Sequence, residues 1–95
     1  MTHPTANPIQ IHGFGRFLIA QGEKETALWV FQRNAELHPD QWPVHVGLMR
    51  GLSAVGRYEE ALTHAEKALA QAPDDNNRQS LAAAIERLKA GEDVN

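Results

Sequence analysis

Shifted by 34 residues, this chain lies over itself without a gap. Gly22 falls on Gly56, Glu25 on Glu59, Ala27 on Ala61, Pro39 on Pro73 and Asp40 on Asp74. The preceding segments keep the same step: Gly13 falls on Gly47, Phe14 on Leu48, Arg16 on Arg50 and Leu18 on Leu52. A repeat of this length is one supersecondary unit that cannot bury its apolar face alone, so its copies must stack.

Within each copy the apolar pattern is helical. Ile11, Phe14 and Leu18 fall at i, i+3 and i+7, one face of an α-helix. Asn7-Pro8 is a start signal, because an Asn side chain accepts from free first-turn amides and Pro tolerates the first helical position. Gly22 ends this helix. A second, over about 23–38, turns Ala27, Phe31 and Ala35 inward and stops at Pro39. A third, over about 41–55, carries Pro43 in its permissive first turn and turns Leu48 and Leu52 inward, preceded by Val44 or His45. A fourth, over about 58–71, buries Ala61, Ala65, Ala68 and Leu69. Asp74-Asp75 open a fifth over about 76–90, with Leu81, Ile85 and Leu88 on one face and Gly91 as its C-cap. The predicted fold is all-α.

The stretch GRYEEALTHAEKALAQAPDD, with Gly56, Tyr58, Ala61, Ala65, Ala68 and Pro73 at fixed places, resembles the tetratricopeptide repeat family of helix–turn–helix units. Ile11, Phe14, Gly15, Leu18, Gly22, Ala27, Phe31 and Pro39 fit the same pattern one unit earlier. Met49 and Asn34 depart from the small residues the pattern places there. The resemblance implies a short right-handed α-α superhelix: two units over 9–40 and 41–74, then a capping helix over 75–90. Residues 1–8 are expected to be a flexible segment and 91–95 a frayed tail. FQRNAELHPDQWPVHVGL further resembles two-repeat tails at the C-termini of some bacterial hydrolases and exported proteins. That likeness implies an alternative role, a non-catalytic accessory domain of a larger protein.

Gly13-Phe14-Gly15-Arg16 has the look of a phosphate loop, but the context is missing. A dinucleotide fingerprint needs a third glycine where Leu18 stands and a preceding strand, and a P-loop needs Gly-Lys followed by Ser or Thr. The repeat accounts for the glycines instead. Gly15 takes the small position where paired helices meet, and Gly13 and Gly47 face the groove side. With 9 basic and 12 acidic residues the formal net charge is −3, the wrong sign for a general nucleic-acid binder. No cysteine is present, so thiol catalysis and thiolate metal sites are excluded. His3, His12, His38, His45 and His64 show no zinc-ligand spacing, and Ser53 and Ser80 lack an activating signature. The chain therefore reads as a non-enzymatic module with no metal and no cofactor. No apolar run is long enough to span a membrane and no signal peptide is legible, which fits a cytoplasmic address without ruling out an exported domain.

In the family the first helix of each unit lines a concave groove. That places His12, Arg16 and Ile19 above Val46, Arg50 and Ser53, with Arg16 and Arg50 stacked. Two guanidiniums there suit a carboxylate or an acidic peptide. The alternative is a solvated pair neutralised by Glu23 or Glu59. The family's chaperone-binding members use a Lys/Asn carboxylate clamp, which His12, Arg16 and Gly47 do not reproduce. Trp29 and Val30 lie off the inward face of the second helix and mark a partner or self-association surface, unless residues 4–8 cover Trp29. Because such arrays need about three repeats to stand alone, a homodimer or a larger parent is expected.

Overall fold

A computed structural model describes residues 7–95. It consists of α1 (Pro8–Ala20), α2 (Lys24–Leu37), α3 (Trp42–Ala54), α4 (Tyr58–Gln71) and α5 (Asp75–Lys89), with no strand among the described residues. Each boundary has a local cause. The Asn7 side chain accepts from the Gln10 amide at 2.8 Å while the Gln10 side chain accepts from the Asn7 amide at 3.1 Å, a reciprocal capping box ahead of Pro8. Asp74 caps α5 through the Asn77 amide at 2.8 Å. Gly22 and Gly56, at φ 81° and 84°, take the left-handed conformation that closes α1 and α3, a backbone that side chains with a Cβ rarely adopt. Of the expected flexible segment 1–8, residues 1–6 lie outside the described residues, and Asn7 and Pro8 are the ordered start of α1.

Consecutive helices pack together, and α1 also packs on α3, so two helix pairs stack with α5 against α4. One core runs through the stack. It contains Ala27, Leu28, Phe31, Val44, Leu48, Met49, Leu52, Ala61, Ala65 and Ala68, and Leu81, Ile85 and Leu88 of α5 extend it. The alanines keep α4 close to its neighbours. Both alternatives for the first turn of α3 are realised, since Val44 and His45 are each buried. Asn34, where the repeat pattern prefers a small residue, is 0% exposed and donates to the Pro8 carbonyl at 3.1 Å, tying α2 to the start of α1.

Three sequence expectations need correction. Phe14, expected inward, is 53% exposed, whereas its repeat counterpart Leu48 is buried. The difference arises because α1 and α2 stand on the far side of Leu48, and no described helix stands on that side of Phe14. Gly47, expected on the groove side, faces the core instead: a Cβ there would lie 2.5 Å from the Phe31 ring. The segment expected to fray does not run free either, because Asp93, Val94 and Asn95 hydrogen-bond back onto α3.

Candidate functional site

The concave face is built by α1, α3 and α5. A cavity of about 450 Å3 is lined by His12 and Arg16, by Trp42, Val46, Met49 and Arg50, and by Asn77, Ser80, Ala84 and Arg87 of α5. No acidic side chain lines it. The predicted groove residues divide here. His12, Arg16, Val46 and Arg50 do share this wall, while Ile19 lines an adjoining recess with Arg16, Arg50 and Val94. Ser53 is buried, its hydroxyl engaged by Asp93 and Val94, so it offers no free groove surface.

The electrostatics of this wall are unusual. Burial and the neighbouring Arg16 both lower the proton affinity of Arg50, and its Nε is buried without a hydrogen-bond partner. His12 stacks at a tilt on Phe31, ring centroids 5.6 Å apart, and its Nδ1 is likewise unpartnered. Burial, then Arg50 and Arg16, depress the imidazole to about 4, with the Pro43 backbone opposing, so His12 is neutral near pH 7. Positive charge therefore resides on the arginines, with hydrogen-bonding capacity left over beside them.

The family model described as "Tetratricopeptide repeat" matches residues 18–85. The chain belongs to the tetratricopeptide repeat family. No curated protein and no solved structure is similar enough to the chain to be matched.

Membership explains which groove residues the sequence reading missed. In this tetratricopeptide repeat protein, Pro43, Val46, Arg50 and Ser53 stand 34 residues before Asn77, Ser80, Ala84 and Arg87. All four of these later residues line the cavity. The cap thus takes the place of a first helix in a third unit, and the Pro-Asp pair repeated at Pro73-Asp74 was the signal for it.

On the other side of the repeats, Asp40 adopts φ 57° between α2 and α3. Its carboxylate meets His45 Nε2 at 2.8 Å and accepts from Gln71 at 3.2 Å. His45 Nδ1 meets His64 Nδ1 at 3.1 Å. Only one of two facing ring nitrogens can donate in this contact, and the series Asp40–His45–His64 joins the α2–α3 turn to α4. Among the described residues, no three His, Asp or Glu side chains are placed to hold a metal ion. Among the described residues, no helix is long and apolar enough to cross a membrane.

The two residues assigned to a second surface differ in exposure. Trp29 is 62% exposed, but Val30 is 7% exposed and is withdrawn from that surface. α2 is flanked by α1 and α3, so it buries a wider arc than one stripe. Other exposed large apolar residues are Phe14 and Phe17, whose rings stack 6.4 Å apart, and Leu37. Cover of Trp29 by residues 4–6 lies outside the described residues.

Proposed function

We propose that this protein is a scaffold whose concave face binds a carboxylate-bearing segment of a protein partner. Membership in the family supports a protein-interaction role. The observation that carries the finer reading is Arg50: a half-buried guanidinium beside Arg16, on a wall with no acidic side chain and with its Nε unsatisfied. A buried charge of this kind is costly until something pairs with it, and a carboxylate pairs best through forked hydrogen bonds.

The test begins with the partner segment identified by affinity purification and mass spectrometry, made as a peptide. Reversing both charges, Arg16→Glu with Arg50→Glu, should weaken its binding by at least about a hundredfold, since losing a charge-assisted pair costs roughly 1.5–3 kcal/mol. Circular dichroism should be unchanged. Equal affinity for wild type and the double variant would remove the groove from the interaction.

A second reading, self-association, is favoured by the exposed Phe14, Phe17 and Trp29. Phe14 and Phe17 lie on the side of the stack that is covered a unit later, where their counterparts Leu48 and Gly51 are buried. The occupant we propose is a second copy of the chain, paired through this same face.

A further inference from the structure

The residues after α5 form a second set of groove contacts that the carboxylate reading does not use. Gly91, at φ 73°, turns the chain: its amide donates to the Leu88 carbonyl at 3.0 Å and the Glu92 amide to the Arg87 carbonyl at 2.9 Å. This closure aims the following residues back at α3. The Ser53 hydroxyl donates to the Asp93 carboxylate at 2.6 Å, and the Val94 amide donates to Ser53 Oγ at 2.9 Å. The Asn95 side-chain amide donates to the Arg50 carbonyl at 2.9 Å, and the Arg87 guanidinium donates to the Asp93 carbonyl at 2.8 Å. Val94 packs on the core and lines both the main cavity and the recess beside Arg16, Ile19 and Arg50.

Every component of peptide recognition is present in these contacts. The Ser53 hydroxyl fixes the acidic residue by donating to its carboxylate and the next residue by accepting from its backbone amide. A recess takes a small branched side chain, and a backbone carbonyl of α3 reads the amide that follows. Burial raises the proton affinity of Asp93, but hydrogen bonds from Ser53 and Asn95 outweigh it, so the carboxyl stays below its ordinary range and charged.

We infer that Asp93-Val94-Asn95 is an intramolecular occupant of the recess beside Ser53 and Arg50, from which a partner segment of the same pattern — acidic, β-branched, amide — displaces it. The inference rests on the groove reading and narrows the partner's chemistry. An occupant tethered by a few residues is present at about millimolar effective concentration, enough to suppress a weak peptide without blocking a good one.

The test uses the full chain and a full-chain variant, Asp93→Ala with Val94→Gly, which removes the tail's carboxylate and its apolar anchor. The probe is a fluorescein-labelled peptide of sequence Gly-Glu-Asp-Val-Asn, read by anisotropy. The variant should bind it about tenfold more tightly than wild type, as expected for loss of a tethered competitor. Ser53→Ala in the variant background should lose that gain. In wild type, excess peptide should move the Val94 methyl resonances towards their freely solvated positions. Equal binding to wild type and the tail variant would overturn the inference while leaving the groove reading to stand on its arginines. Binding to neither would also overturn it, and the arginine reversal with the partner's own segment would then decide the groove reading separately.

Discussion

Phe31 is held by three glycines on two helices. A Cβ at Gly15 would fall far inside contact distance of its ring, one at Gly47 would lie 2.5 Å away, and one at Gly51 would lie 2.8 Å from the ring and 3.1 Å from Leu28 Cα. The ring is 0% exposed and has nowhere to retreat. Helix propensity alone favours alanine at each position by roughly 1 kcal/mol. Overpacking opposes it by about 1–3 kcal/mol where the space is filled. Gly13 provides the control, because nothing stands within 4 Å of its added Cβ. Urea unfolding should therefore show Gly13→Ala stabilised by about 0.5–1 kcal/mol, and Gly15→Ala and Gly51→Ala destabilised by up to about 2 kcal/mol net. Stabilisation at all three positions would mean the glycines do not clasp the ring.

Between elements, the joint of α1 and α3 carries a titration. His12 of α1 faces Arg50 of α3, with Arg16 one turn along its own helix, and its proton affinity falls from 6.5 to about 4. The unfolded chain takes up this proton near pH 6.5 and the folded chain only near 4. Protonation therefore favours unfolding, and stability declines as pH falls through that window. The full span corresponds to on the order of 3 kcal/mol, reached near pH 4. His64 of α4 is shifted the same way, by burial first and then by His45 and Lys67, with Glu60 opposing, so it adds to the same acid limb. Thermal melts from pH 8 to pH 4 should show a falling Tm in wild type and a visibly flatter profile in His12→Phe. Superimposable profiles would place the acid sensitivity elsewhere.

At the scale of the molecule, the two ends of the described stack differ. α5 covers α4 with Leu81, Ile85 and Leu88, whereas Phe14 and Phe17 face outward at the opposite end. If a second copy covers that face, sedimentation should give a dimer, and Tm should rise with protein concentration because only folded chains associate. Phe17→Ala should weaken the dimer, and Phe14→Glu should abolish it by placing a charge in the apolar contact. A monomer at high concentration, with a concentration-independent Tm, would dismiss self-association.

What the sequence determined by itself was periodic. The 34-residue step, the 3.6-residue apolar spacing and the caps at Asn7, Gly22, Gly56 and Asp74 are local signals, and they were enough for five helices, their boundaries to within about a residue or two, and the shared wall of Arg16 and Arg50. Tertiary structure decided whatever depended on a neighbour's presence. Phe14 and Leu48 occupy equivalent positions in the pattern, yet one is solvated and the other buried, because burial depends on what stands opposite a residue. Val30 is buried for the converse reason. The groove's third wall and the returning tail belong to the same class: Asn77, Ser80 and Arg87 acquire meaning only once α5 takes the place of another first helix. Likewise, Asp93 finds Ser53 across 40 residues that no local spacing connects.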